Sequence, residues 1–170
     1  MNTYLFDFGV EKNPQKALFG GKGANLSIMT DLGIPVPHGF VITTDTCQAF
    51  LQNDNNFPDG LLSQVQEAVA RLETKSDRTF GGSDSPLLVS VRSGARVSMP
   101  GMMDTILNLG LNDKTVEGLA KNSGNSRFAW DSYRRFIQMY GGVVLGMKPE
   151  SKDDIDPFEE KFTGFVFKIH

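Results

Sequence analysis

The chain has 170 residues, of which 39% are hydrophobic and 22% are charged, and this is the composition of an ordinary globular protein that can bury a core. A formal net charge of −3 argues against a nucleic-acid-binding surface, since such surfaces are strongly basic. No apolar run is long enough to cross a bilayer, and the single cysteine excludes an internal disulfide and suits a reducing compartment. We therefore expect a cytoplasmic protein with no membrane or nucleic-acid partner.

The first half of the chain predicts short strands that alternate with helices. Strands are predicted over 4–8 and 40–43, and helices over 24–32 and 61–72. Gly33 should end the first helix in a left-handed conformation. Thr44 is expected to cap a further helix, on which Cys47 shares an apolar face with Phe50 and Leu51 and is expected to be a buried thiol. The first helix should bury a stripe of apolar residues: Ala24, Ile28, Met29 and Leu32.

The second half predicts two strands and two helices. A nearly continuous apolar strand spans 87–91, and a second strand spans 105–109. A weak helix capped by Asn112 or Asp113 should end near Gly124. Ser126 should cap a last helix with one apolar stripe: Ala129, Tyr133, Phe136, Ile137 and Tyr140. Alternation of strands and helices predicts an α/β or α+β domain.

A glycine-rich segment, Phe19-Gly20-Gly21-Lys22-Gly23, precedes the first predicted helix. Glycine lets backbone N–H groups approach phosphate oxygens, and the first amides of a helix are unsatisfied donors with a partial positive charge. Lys22 adds a fixed cation. The segment is not the Walker pattern, because no Ser or Thr follows the lysine. The alternative interpretation is a glycine-rich turn with a solvated lysine.

A second candidate loop begins where the apolar strand over 87–91 ends. Arg92 at a strand end suits bidentate recognition of phosphate, and Arg96 offers a second guanidinium nearby. The segment 94–105 has neither helical nor strand period and includes Pro100-Gly101, so a mobile flap is predicted. Its methionines suit covering a flat base or excluding water, although ordinary core packing is the alternative. These methionines are Met99, Met102 and Met103.

At these two loops the sequence resembles pyruvate phosphate dikinase. The first loop continues into Ala24-Asn25-Leu26 and is followed by Gly33-Ile34-Pro35-Val36-Pro37-His38-Gly39-Phe40, like the opening of the nucleotide-binding domain of that family. The most specific likeness is the run over 90–109, which contains Val-Arg-Ser and then Met-Pro-Gly-Met-Met-Asp-Thr. Phosphoenolpyruvate synthases share Val-Arg-Ser but diverge after it. The resemblance covers roughly 4–160.

The resemblance implies a fold and an activity. The fold would be α/β (α+β), an incomplete first lobe of an ATP-grasp-type domain over 1–160, with 161–170 as an atypical C-terminal tail. The enzyme would be a phosphotransferase that moves the β-phosphate of ATP to a histidine on a swivelling domain, while inorganic phosphate takes the γ-phosphate. A barrel domain would then exchange the phosphoryl group with pyruvate to give phosphoenolpyruvate.

The resemblance also implies the site. Arg92 would be the catalytic residue. The metal ligands of the implied ATP–Mg²⁺ complex would lie outside this chain. The implied nucleotide-binding residues are Lys22, Arg92, Arg96, Gly101, Met103, Asp104 and Thr105.

Departures from the family leave alternatives open. The acidic second lobe, the phosphohistidine domain and the pyruvate barrel do not occur in these 170 residues, so the chain alone should not complete a turnover. ATP and phosphate would be its direct ligands, and the full-length family enzyme would be a homodimer. One alternative is a truncated, non-catalytic nucleotide-binding or interaction protein. A further alternative, a phosphoenolpyruvate synthase-like dikinase, is disfavoured by the segment over 99–105.

Overall fold

The computed structural model describes residues 2–94, 105–147 and 157–158. Its helices and short strands confirm the α+β class. In chain order the elements are β1 (Leu5–Asp7), α1 (Lys16–Asp31), β2 (Phe40–Ile42), α2 (Thr44–Gln52), α3 (Leu61–Ser76), β3 (Thr79–Phe80), β4 (Pro86–Leu87), β5 (Val89–Arg92), β6 (Thr105–Leu109), α4 (Thr115–Ser123) and α5 (Ser126–Val143).

The described residues divide into two compact units. The first contains 2–80 and 92–94, and the second contains 81–91, 105–147 and 157–158. Within the described ranges, no helix has the length and apolar character needed to cross a membrane. The predicted tail over 161–170 lies outside the described residues.

The first unit is built on an antiparallel pair of strands. β1 pairs with β2 in the register Leu5–Ile42, Phe6–Val41 and Asp7–Phe40. Its core joins Phe19 and Ala24 of α1 to Val41 of β2, with Phe6, Phe8 and Leu18 packed around them. The strand pair therefore supports the first turns of α1 directly.

Helix α1 ends as predicted but buries a different face. Gly33 has φ 74°, and the amides of Gly33 and Ile34 donate to the carbonyls of Thr30 and Met29, both at 3.0 Å, which is a Schellman ending. The predicted apolar stripe is wrong beyond Ala24. Apart from Phe19, the buried residues of α1 are small, and at Gly23 the helix lies close to Val41 of β2. The stripe residues left substantially exposed are Ile28, Met29 and Leu32.

The prediction for helix α2 is correct in position and wrong in its face. The helix is capped by Thr43, one residue before the predicted cap, and the Thr43 hydroxyl accepts from the amide of Thr46. Thr46 is the buried residue of this helix and donates from its hydroxyl to the carbonyl of Tyr4 at 3.0 Å. Cys47 and Leu51 are exposed, so the predicted buried thiol is wrong. The polar Thr46 faces inward because Tyr4, the residue before β1, offers it a carbonyl acceptor.

Helix α3 is held to β1 by charge. Arg71 binds the carboxylate of Asp7 through two hydrogen bonds of 3.0 Å, and Lys75 approaches it at 3.3 Å. The hydrogen bond from Arg71, with that from Lys75, holds the pKa of Asp7 below its usual value, although burial acts in the opposite direction. Asp7 is largely buried, so this carboxylate fixes the inner end of the interaction.

The second unit centres on α4 and α5. Val116, Ala120 and Ala129 form its buried cluster. The strand predicted over 87–91 is divided into β4 and β5, whereas β6 spans the predicted residues 105–109 and pairs with β5.

The ends of α4 and α5 lie close to the predicted positions. The Asn112 side chain accepts from the amides of Lys114 and Thr115, and Gly124 ends α4 with φ 64°. The cap of α5 is Asn125, one residue before the predicted Ser126, because its side chain accepts from the amide of Phe128. On α5, Ala129 is buried, but Ile137 and Tyr140 of the predicted stripe are exposed.

Candidate functional site

A break at Gly20 interrupts helix α1 in the glycine-rich segment. Gly20 has φ 67° and ψ 167°, a conformation that is essentially restricted to glycine. The helix starts earlier than predicted, at Lys16. It resumes after the break, and its new first turn contains Gly21, Lys22 and Gly23. A first turn leaves backbone N–H groups without intrahelical partners, so the break provides donors beside the half-buried Lys22.

The helix packs closely against β2 just after this break. An ideal Cβ added to Gly23 would lie 2.8 Å from Cγ2 and 3.1 Å from Cγ1 of Val41. Phe19 is 3% exposed and Ala24 is fully buried on either side of the break. The turn that carries Lys22 is therefore held between two buried anchors rather than being a solvated loop.

Arg92 is placed as predicted, at the end of a strand. It is the last residue of β5, and its side chain is exposed. Strand β5 pairs with β6, whose first residue is Thr105. Both ends of the second loop therefore arise from paired strands, while the loop itself is described only through Gly94.

The start of the second loop meets the break in α1. An ideal Cβ on Gly20 would lie 3.3 Å from the carbonyl oxygen of Gly94 and 3.4 Å from its Cα and carbonyl carbon. The two residues belong to the same unit. Their backbones therefore approach closely, and the glycine-rich segment with Lys22 adjoins the segment that begins with Arg92.

Comparison with known proteins gives the family context of this arrangement. A family model described as "Pyruvate phosphate dikinase, AMP/ATP-binding domain" matches residues 16–58, which include the break and Lys22. The chain is 56% identical over 151 residues to "Pyruvate, phosphate dikinase" of Entamoeba histolytica, covering 89% of this chain and 17% of that protein. The chain is homologous to the N-terminal part of pyruvate, phosphate dikinases.

Two further relatives give the same result. The Rhizobium meliloti "Pyruvate, phosphate dikinase" is 56% identical over 159 residues, covering 91% of this chain and 18% of that protein. The protein of Flaveria trinervia named "Pyruvate, phosphate dikinase, chloroplastic" is 48% identical over 147 residues, covering 84% of this chain and 15% of that protein. The chain thus spans less than a fifth of the length of these curated dikinases.

The structure describes only part of the site implied by resemblance. Lys22, Arg92 and Thr105 lie within the described residues, and Thr105 is half-buried at the start of β6. The remaining implied residues lie outside the described residues: Arg96, Gly101, Met103 and Asp104. Sequence patterns also missed the contact between Gly20 and Gly94. The signal for it was a pair of glycines, one beside each cation.

Two surface depressions in the second unit contain none of these residues. One, of about 330 Å³, is lined by Ser83, Asp84, Lys114, Glu117, Gly118 and Lys121. The other, of about 380 Å³, is lined by Asn125, Arg127, Phe128, Asp131 and Arg135. Elsewhere in the same unit, burial and a 2.8 Å hydrogen bond to Asp113 raise the pKa of Tyr133. Neither depression combines a glycine-rich backbone with a cation as the two loops do.

Proposed function

We propose that this chain contributes the first part of the ATP site of a pyruvate phosphate dikinase. The reaction interconverts ATP, phosphate and pyruvate with AMP, diphosphate and phosphoenolpyruvate, through a phosphohistidine on a domain outside these 170 residues. The observation that carries the proposal is the approach of Gly20 to Gly94, which joins two loops that each pair glycine with a cation. The match of residues 16–58 to an AMP/ATP-binding domain supports the same conclusion.

The residue roles follow from charge and backbone geometry. Lys22 and the amides of the new first turn bind phosphate oxygens, because the positive end of the helix and the ammonium group act on the same anion. Arg92 binds a phosphate through its guanidinium and stabilises negative charge that develops during transfer, which is its catalytic role. We propose that Arg96, Gly101, Met103, Asp104 and Thr105 complete the cover over the nucleotide.

Several broader features belong to the same proposal. The domain is of the ATP-grasp type over 1–160, with a separate tail over 161–170, and the full-length enzyme is a cytoplasmic homodimer. Magnesium accompanies ATP in the reaction. Among the described residues, no three His, Cys, Asp or Glu side chains cluster as metal ligands would. We propose that the magnesium ligands lie outside this chain, as the resemblance to the dikinase family implies.

Calorimetric titration of the 170-residue chain with ATP tests the proposal. We expect weak binding, with a Kd of roughly 100 µM, because the chain supplies only part of the phosphate contacts. Lys22→Ala should weaken binding by about tenfold, the value expected for a charge-assisted hydrogen bond. Lys16→Ala is the matched control, since Lys16 is exposed on the same helix before the break. Absence of ATP binding, or equal effects of the two substitutions, would contradict the proposal.

A second comparison separates the two arginines. Arg92 lies on a strand, so its backbone is fixed before the nucleotide arrives. Arg92→Ala should therefore weaken ATP binding, and slow ATP–phosphate exchange in a full-length dikinase, more than Arg96→Ala does. Adenosine is the control ligand, because it lacks phosphate and its affinity should not change. Equal losses from both substitutions would mean that placement at the strand end does not matter.

A further inference from the structure

The break in α1 has an external partner on α2. The hydroxyl of Thr44 donates to the carbonyl oxygen of Ala17 at 2.6 Å. Thr44 is the first residue of α2, whose cap is supplied separately by Thr43. The Thr44 hydroxyl is therefore not needed to cap its own helix.

The acceptor of this hydrogen bond is a carbonyl group at the break in α1. In an uninterrupted α-helix, the carbonyl of Ala17 would accept from the amide of Gly21, four residues later. Gly20 lies outside the helical region, so the ladder is interrupted between these two groups. The Thr44 hydroxyl donates to the carbonyl on one side of the break, so that carbonyl has a donor other than the Gly21 amide.

We propose that Thr44 is a positioning residue that keeps the break in α1 open for nucleotide phosphate. The inference rests on the proposed function for its ligand, but the hydrogen bond and the break are independent of it. Thr44 does not touch the phosphate in this proposal. Because the Ala17 carbonyl already accepts from the Thr44 hydroxyl, the helix gains less from forming the Gly21–Ala17 hydrogen bond that would remove the break.

Three variants of the 170-residue chain test this role. Thr44→Val removes the hydroxyl and keeps the shape, whereas Thr44→Ser keeps the hydroxyl. Thr30→Val is the matched control, since the Thr30 hydroxyl donates to the Leu26 carbonyl at 2.8 Å on the same helix, after the break. ATP affinity is measured by calorimetry, and amide hydrogen exchange is measured for Gly21 without nucleotide.

The expected results distinguish positioning from simple stabilisation. Thr44→Val should weaken ATP binding by about fivefold, as expected for one hydrogen bond, and Thr44→Ser should restore it. Exchange at Gly21 should become slower in Thr44→Val, because its amide can return to the Ala17 carbonyl. A loss of stability alone would make that exchange faster. Thr30→Val should change neither measurement.

Other results overturn the inference. If Thr44→Val binds ATP like the wild type while Lys22→Ala does not, Thr44 has no positioning role and the proposed function survives. Faster exchange at Gly21, or failure of Thr44→Ser to restore binding, also contradicts the role. If the wild type binds no ATP, the proposed function fails, and exchange at Gly21 alone decides whether Thr44 holds the break.

Discussion

Glycines inside the helices of the two units act differently. In the second unit, Gly118 of α4 is placed directly against the backbone of Ser83, and Gly141 of α5 against the ring of Phe158. Both stay helical and serve only close packing. In the first unit, Gly23 also packs closely, against Val41, but Gly20 leaves the helical region and breaks α1.

The glycines that stay helical and the glycine that breaks a helix are expected to have different roles. A glycine that stays helical at a close contact contributes to stability alone, because the Cβ of any other residue would clash with the neighbouring atoms. A glycine that breaks a helix also costs intrahelical hydrogen bonds, and such a cost is common at sites that bind ligands. Substitutions at the two kinds of glycine should therefore change different measurements.

The largest effect is expected at Gly118. Its Cβ would overlap the carbonyl oxygen of Ser83, and a backbone atom cannot move away as a side chain does. Gly118→Ala should lower the free energy of unfolding by about 3 kcal/mol. Chemical unfolding followed by the fluorescence of Trp130, the only tryptophan and a residue of α5, measures this change.

Gly142→Ala is the matched control for Gly118. Gly142 lies in α5, and an added Cβ would meet no atom closer than 3.9 Å. Alanine there should be neutral or stabilise the helix by up to about 1 kcal/mol. Equal destabilisation by both substitutions would contradict the packing role of Gly118.

Gly20→Ala should have the next largest effect and should also change binding. Alanine at φ 67° and ψ 167° carries a strain of roughly 2 kcal/mol, and its Cβ would crowd Gly94. Both stability and ATP affinity should fall. Gly33→Ala is the control, since Gly33 also has positive φ but opens to free space at the other end of α1. It should reduce stability and leave ATP affinity unchanged; a matching loss of affinity would refute the distinction.

Gly23→Ala tests packing within the first unit. The added Cβ would meet both methyl groups of Val41, so a loss of roughly 1–2 kcal/mol in unfolding free energy is expected. In a double-mutant cycle with Val41→Ala, the two losses should be less than additive, because the second change makes room for the first. Strict additivity would show that Val41 does not restrict Gly23.

The smallest effect is expected at Asp7 and depends on pH. Replacing its carboxylate in Asp7→Asn should cost on the order of 1 kcal/mol at pH 7, because Arg71 and Lys75 are partly exposed. Since the folded-state pKa of Asp7 is lowered, its contribution is complete above its unfolded-state pKa of about 4 and disappears as pH falls through the folded-state pKa.

The difference in unfolding free energy between wild type and Asp7→Asn should therefore be constant from neutral pH down to about pH 5 and should disappear at lower pH. Unfolding followed by circular dichroism at several pH values measures it. Asp131→Asn is the control, because its carboxylate pairs with two arginines on the exposed surface of α5. Its substitution should have a smaller effect. If the difference in unfolding free energy between wild type and Asp7→Asn stays unchanged down to about pH 2, the ionised carboxylate of Asp7 is not the source of that stability.

Local sequence signals predicted the elements better than their faces. The helix that became α3 and the strand over 105–109 are confirmed, because their patterns depend on spacing within one segment. The Schellman ending at Gly33 is confirmed for the same reason. The exposed Ile28 and Cys47 contradict the predicted faces, since a face is buried only if a remote element covers it. Here Val41 covers the face of α1 that carries Gly23 and Ala24.

The sequence by itself determined the chemistry of the candidate site: glycines, Lys22 and Arg92 are in the local patterns that indicate phosphate binding, and the family resemblance follows from those residues. Only the tertiary structure decided where α1 breaks, which hydroxyl satisfies Ala17, and that Gly20 lies against Gly94. The physical reason is that propensity and charge act between neighbours along the chain. A contact between distant backbones depends on packing of the whole unit, which no local pattern contains.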